Sequence, residues 1–359
     1  MKRNFTYGAL MSKLPPIVFV HGIKGSSLRG PNGDLLWIRV RDLFTNRDRN
    51  LALPLEWENG KQLQDGVWSD GALRGILGKP IYRKFLDGMK RLGWDVFCYS
   101  YDWRRNQSEL SKEFITFLKQ IREKHSKPLI ISHSNGGIIV DLALRTKDAG
   151  DIVGVLHAGV PFGDGVSFLP DMTNGESILW NPVLVGSSVH LSWAAPWAYF
   201  PISDKSRLLD EKYNQITHDW NDVFSWKRLK LGPFSSNFEI SKKQIEHMRH
   251  AMKAAAIVRT KIEADWPKNI HRPPTAVLRS RSHKTPQAYK HDSKGLWELE
   301  LPIYGEGDGR VLFDSAIPPF KIEAEYETKL IHGALLNDVD IVDVALRELL
   351  TLPQIPASL

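Results

Sequence analysis

The chain reads as short apolar runs separated by longer amphipathic stretches. Pro16-Ile-Val-Phe-Val20 is continuous, apolar and β-branched, the pattern of a strand buried on both faces of a parallel sheet. A helix is expected from Ile81 to Leu92, stopping at Gly93, because glycine takes the left-handed conformation that ends helices. Asp95–Tyr99 follows as a strand. Residues 107–124 carry Leu110, Phe114, Leu118 and Ile121 on one helical face, and Asn106 with Glu109 predicts a capping box before them. Pro128–Ser132 and Ile152–Leu156 read as strands on either side of a helix that begins at Gly136. This alternation predicts an α/β fold, a mostly parallel central sheet flanked by helices.

After Pro161 the alternation lapses. Residues 162–240 are irregular and hold Trp180, Trp193, Trp197, Trp220 and Trp226. A long helix is expected over 241–264, with Ser241 as its N-cap. Alternation resumes at Thr275–Leu278, continues in a strand-like Leu296–Ile303 and closes on a helix at about 338–350. The expected division is residues 1–161 as the first part of a core, 162–272 as an inserted cap or lid, and 273–359 as the rest of the core.

Composition narrows the classes. The 359 residues are 42% hydrophobic and 25% charged, values of an ordinary globular chain rather than a disordered one. Cys98 is the one cysteine, which excludes a disulfide scaffold and a cysteine-held zinc site. No His/Asp/Glu cluster has ligand spacing, so neither a metal nor another cofactor is expected. No apolar run reaches the ~18 residues of a membrane-spanning helix. No signal peptide is visible, and the expected compartment is cytoplasmic; a secreted chain stripped of its leader would read the same.

The net charge of +7 is unevenly placed: residues 241–290 carry 12 basic and 3 acidic side chains, and residues 291–359 carry 5 and 13. The expected helix at 241–264 sets Lys242, Lys243, Arg249, Lys253, Arg259 and Lys261 among apolar Ile245, Met248, Met252, Ala255 and Ile262. Peripheral contact with an anionic membrane through residues 241–261 is one reading of that pattern, and a solvated outer face is the plainer one. No nucleic-acid motif accompanies the charge, so no nucleic-acid partner is expected.

The chemistry concentrates at Ser132-His-Ser-Asn-Gly-Gly137, between an expected strand and an expected helix. A serine at the tip of such a turn is the nucleophile elbow of α/β-hydrolases, usually G-x-S-x-G; here Ser132 stands at the first glycine. Ser134 is thus the candidate nucleophile, and it needs a base and an orienting acid. These follow in the order Ser, Asp or Glu, His. His332 fits as the base, with His283 and His291 as competitors, while His133, His21 and His157 read as packed residues. Asp308, between two glycines, fits as the acid, with Glu306 and Asp164 as rivals. For the oxyanion, the candidate donors are the backbone N–H groups of Asn135 and Ile23, with Lys24 next to the latter. Trp193 and Trp197 are the candidate substrate-binding residues, as an acyl-pocket wall or lid, or else part of the cap's own core.

Several stretches together resemble the lecithin:cholesterol acyltransferase family. These are Pro16–Leu28, Leu36-Trp37, Tyr101-Asp-Trp-Arg104, His133-Ser-Asn-Gly-Gly137, Thr285-Pro-Gln-Ala-Tyr289 and Tyr304-Gly-Glu-Gly-Asp-Gly309, with His332 where the family's histidine falls. The resemblance implies an α/β-hydrolase fold with a cap, an acyl-serine on Ser134, and Asp308 and His332 completing a triad. It implies lipid ester substrates, with water or a lipid alcohol such as a sterol as acyl acceptor. The chain departs from the family at His21-Gly22, where the family has Pro-Gly, and at Asp308-Gly-Arg-Val-Leu312. Asp102 and Arg104 read as a structural pair beside a buried Trp103. The expected activity is ester hydrolysis, with acyl transfer and a non-catalytic lipid-binding scaffold as alternatives.

Overall fold

A computed structural model describes residues 14–44, 51–178, 181–202, 206–235 and 239–353. Trp180 and the chain ends lie outside the described residues. Six strands form the central sheet: β1 (Ile17–Val20), β2 (Val96–Tyr99), β3 (Leu129–His133), β4 (Gly154–Ala158), β5 (Thr275–Arg279) and β6 (Ala324–Glu327). Their spatial order is β6-β5-β4-β3-β1-β2, and every pairing is parallel. The helices around it are α1 (Arg83–Arg91), α2 (Gln107–Lys124), α3 (Asn135–Leu144), α4 (Lys242–Glu263) and α5 (Val339–Thr351).

The two-residue period of β1 explains the layers. Ile17 and Phe19 point to one face, where Phe85 and Met89 of α1 and Val342 and Leu346 of α5 pack. Val18 and Val20 point to the other, against Leu110, Phe114 and Leu118 of α2 and Ile139 and Val140 of α3. All of these side chains are almost fully buried, each contributing roughly 1.5–3 kcal/mol of apolar transfer. α2 occupies the expected residues. Asn106 caps it by accepting the Ser108 N–H (2.8 Å), but there is no capping box, because Glu109 turns to Arg105.

Two expectations at the C-terminal end are corrected. Leu296–Ile303 is not a strand: Leu296 and Leu301 are exposed in turns, and the strand begins at Ile303. The last core strand is β6, Ala-Glu-Tyr-Glu, which carried no apolar run.

Between β4 and β5 the chain leaves the sheet. Trp197, Trp220 and Trp226 pack together there with Met248 and Met252 of α4. Ser241 caps α4 with a full capping box. This layer also borrows from elsewhere: the Leu53 N–H donates to Ser192 Oγ (2.9 Å), and Trp57 Nε1 donates to His247 Nδ1 (3.0 Å). The apolar stripe of α4 faces this core. Arg259 is fully buried and donates to the carbonyls of Pro161 (2.9 Å) and Phe162 (2.8 Å), so the membrane reading of 241–261 loses its apolar face and one of its cations. Among the described residues no helix is long and apolar enough to cross a membrane.

Candidate active site

β3 ends at His133 and α3 begins at Asn135, leaving Ser134 alone on the turn at φ 52°, ψ −127°. A left-handed φ on a non-glycine residue is strained and persists only when its surroundings hold it. The Ser134 N–H donates to the Ala158 carbonyl (3.0 Å), and the Ser134 carbonyl accepts the Gly137 N–H (2.9 Å). A Cβ at Gly136 would come within 2.5 Å of the Val20 carbonyl oxygen, so that position requires glycine, and one at Gly22 would come to 3.0 Å from Ser134 Cβ, a tight approach. Ser132 is accommodated because its hydroxyl lies 2.7 Å from Nδ1 of buried His157.

His332 sits beyond β6, at the start of a 3₁₀ turn. Its Nε2 is 2.9 Å from Ser134 Oγ, and its Nδ1 is 2.8 Å from Asp308 Oδ2. Asp308 Oδ1 accepts the N–H groups of Arg310 (2.9 Å) and Val311 (2.7 Å). Burial of Asp308 would raise its pKa, but the charge and hydrogen bond of His332 and these two N–H groups outweigh it and hold the carboxyl below its ordinary value. Ser134, His332 and Asp308 are therefore brought together as one hydrogen-bonded chain. Of the rivals, Glu306 is exposed toward Arg281, His283 Nε2 meets the Lys329 carbonyl, and His291 Nδ1 meets the Asp292 carbonyl; Asp164 lines the same cleft, but the carboxylate on His332 Nδ1 is that of Asp308.

Two tyrosines brace this hydrogen-bonded chain: Tyr82, which sequence reading did not single out, and Tyr101, named there only as the start of the Tyr101–Arg104 motif. The His332 carbonyl can only accept, so His133 donates to it from Nε2 (2.9 Å). Burial, reinforced by the neighbouring His332, pushes the His133 pKa down to about 3, so the ring is neutral and Nδ1 carries a lone pair. Nδ1 then accepts the Tyr82 hydroxyl (2.7 Å), whose oxygen in turn accepts the Gly22 N–H (3.1 Å). Tyr101 donates to the His21 carbonyl (2.6 Å) and accepts from Asn135 Nδ2 (3.2 Å). The loop after β1 is thus held at two successive residues. A turn closed by the Gly25 N–H on the Gly22 carbonyl (3.1 Å) puts Ile23 and Lys24 at its apex, where both line the cleft above Ser134. Asn135 opens α3, so its N–H is a first-turn donor with no partner inside the helix. Asp102 and Arg104 form a buried bidentate pair (2.9 and 2.8 Å) beside Trp103, away from the cleft lining.

The cleft has a volume of about 210 Å³. Trp193 and Trp197 do not line it. Trp193 is fully buried, donates to the Leu51 carbonyl (2.8 Å) and packs edge-on to Trp103; Trp197 packs on Trp226. Indole rings with this much apolar area are spent on the core beneath the cleft, so the substrate-binding expectation for them is corrected. In their place stand Phe168, Tyr199, Val311 and Leu312, with Lys24, Asp171, Glu176 and Arg310. Lys24 pairs with Glu176, and Arg310 Nη1 with Asp171 (2.9 Å).

Among solved structures, the crystal structure of a Tle4–Tli4 complex is similar to this chain with a TM-score of 0.53 at 14% identity, covering 92% of this chain and 99% of the other. The chain has the α/β-hydrolase fold. Bacillus licheniformis lipase BlEst2 in mature form is more distant, with a TM-score of 0.42 at 13% identity over 95% and 93% of the two chains. At these identities the likeness speaks for the fold alone. No family model and no curated protein matches the chain, so the resemblance to the lecithin:cholesterol acyltransferase family rests on its motifs.

Proposed function

We propose that the protein is a serine hydrolase of carboxylic esters. Ser134 Oγ attacks the ester carbonyl carbon while its proton passes to His332 Nε2, and Asp308 holds the imidazole through Nδ1–H. The oxyanion is received by the Ile23 and Asn135 N–H groups. The ester C–O bond then breaks, and the proton on His332 Nε2 goes to the departing alcohol oxygen. Water next gives a proton to His332 and attacks the acyl carbon; the carboxylic acid leaves and the serine hydroxyl is restored.

The observation that supports this reading most is the hydrogen-bonded order Asp308–His332–Ser134, with the serine at a left-handed φ beneath a cleft. A dead scaffold would have no reason to keep that strain. The test is covalent labelling by a fluorophosphonate: wild type is expected to label and to hydrolyse p-nitrophenyl butyrate, and Ser134→Ala to do neither. A folded wild type that fails to label refutes the proposal.

A further inference from the structure

We propose that the cleft over Ser134 takes an ester carrying a second, anionic group, a carboxylate or a phosphate, and that Lys24 binds this group by giving up Glu176. The inference rests on the serine-hydrolase reading above and names its substrate class.

The cleft is too polar for a plain acyl pocket. Pockets for apolar ligands are lined by hydrophobic and aromatic side chains with few polar groups, whereas here two ion pairs and the Asp164 carboxylate stand in the wall. Lys24 and Glu176 are largely removed from water, at 13% and 23% exposed, where an ion pair recovers little of its desolvation cost, so fold stability does not account for it. Lys24 follows Ile23 directly and has a left-handed φ of 59°, a costly conformation that turns its side chain into the cleft. Its ammonium lies 5.8 Å from the ring centroids of both Phe168 and Trp193, which screen it from solvent. Burial pushes its pKa down to about 7, with Asp171 pulling it up and Arg310 pushing it further down. A carboxylate is in contact with this ammonium.

Glu176 supplies that carboxylate from the cap, and it has a second seat. Its Oε2 is 4.0 Å from Nε2 of His190, which is fully buried, faces the Asp171 backbone and makes no well-formed hydrogen bond from either ring nitrogen among the described residues. A buried ring N–H without an acceptor is unfavourable. When a substrate anion takes the Lys24 ammonium, Glu176 can turn to His190 and satisfy it, so the exchange replaces one pair by two. Arg310 adds donors on the same side: Nη1 is spent on Asp171 and the Ser167 carbonyl, while Nε and Nη2 make no hydrogen bond among the described residues. That edge of a guanidinium fits carboxylate and phosphate oxygens.

The experiment compares kcat/KM within two matched pairs. The soluble pair is p-nitrophenyl butyrate and mono-p-nitrophenyl glutarate; the micellar pair is dioleoylglycerol and dioleoyl phosphatidic acid. Wild type is expected to prefer the anionic member by about tenfold or more in one pair, as charge-assisted hydrogen bonds allow. Preference in the soluble pair identifies a free carboxylate ester, and preference in the micellar pair alone identifies a lipid phosphate. Lys24→Met is expected to bring the ratio to about one and Lys24→Arg to keep it. Glu176→Gln is expected to raise it, mainly through KM. A wild-type ratio of one or less in both pairs overturns the inference. So does an unchanged ratio in Glu176→Gln, which decides the matter if Lys24→Met does not fold. Fluorophosphonate labelling separates the two failures: a labelled enzyme without anion preference sinks this inference alone, and an unlabelled one sinks the hydrolase reading beneath it.

Discussion

Tyr82→Phe isolates the brace behind the site. The substitution keeps the ring, which packs edge-on to Phe19 at 4.9 Å, and removes only the hydroxyl. Two buried groups then lose their partners, the Gly22 N–H and His133 Nδ1. Each unsatisfied buried group costs about 1–3 kcal/mol, so unfolding free energy should fall by roughly 2–6 kcal/mol. The catalytic effect comes through the loop that carries Ile23. Deleting an oxyanion donor outright costs about 10²–10³ in kcat; here the donor remains and only its tether is cut, so a loss of about tenfold is expected, with KM little changed. The assay is p-nitrophenyl butyrate hydrolysis at saturating substrate, beside urea denaturation of the same samples. A variant that loses stability but keeps kcat within about twofold would show that the brace holds the fold and not the oxyanion geometry.

Further outcomes follow from the same structure. Asp308→Asn should lower kcat by about 10³–10⁴ through the wrong imidazole tautomer, whereas Asp164→Asn should lower it less; equal losses would unseat Asp308 as the acid. Burial holds His157 near pKa 3, far below the 6.5 of an exposed histidine. The unfolded chain therefore binds the proton first, and the stability from keeping this ring neutral, complete above pH 6.5, is lost as pH falls toward 3. At pH 5 that loss is about 2 kcal/mol, and His157→Gln should flatten the denaturation midpoint against pH by that amount. Arg259→Met should cost about 3–5 kcal/mol, read by urea denaturation, because it strands the Pro161 and Phe162 carbonyls and the Glu263 carboxylate.

What the sequence could reveal follows from how local each signal is. α2 was legible because Leu110, Phe114, Leu118 and Ile121 repeat at helical spacing behind a capping asparagine. The elbow was legible because glycines at 136 and 137 sit where the turn and the helix press on β1 and Val160. His332 and Asp308 were legible as a chain order, not as a contact. Leu296–Ile303 misled because its alternation of leucine with acidic residues imitates a strand, while Trp297 and Leu299 pack on the cap core and the pairing there is a single bridge from Trp297 to His291. β6 was missed for the opposite reason: an edge strand with alternate residues exposed needs no apolar run. The tryptophans announced buried area but not which side of the cleft floor they would fill. Lys24–Glu176 and Arg310–Asp171 join residues 152 and 139 positions apart, and no local pattern announces a pair of that span.

The charge asymmetry of the chain has a structural explanation of the same long-range kind. The basic stretch 241–290 contains β5, and the acidic C-terminal segment supplies β6, which lies beside it in parallel register. Arg272 meets Glu323 (3.0 Å), Arg279 meets Glu325 and Arg281 meets Glu327 (3.0 Å), a ladder along the edge of the sheet. Its value is graded by burial. Arg281 and Glu327 are about half exposed, where an ion pair is worth 0–1 kcal/mol, while Arg272 and Glu323 are 12% and 15% exposed and their pair is bidentate. The ladder also reaches the site: Arg279 Nη1 donates to the Phe313 carbonyl (2.9 Å), five residues past Asp308. A basic run that reads as a surface for an anionic partner and the acidic run that follows it are, in their most buried members, each other's partners. What remains outward on α4 is Lys242, Lys253 and Lys261, with Lys243 and Arg249 exposed but paired to Glu56 and Glu246, on a helix whose apolar side is already occupied, so any attraction to an anionic surface there is electrostatic alone and should vanish within the screening of ordinary salt.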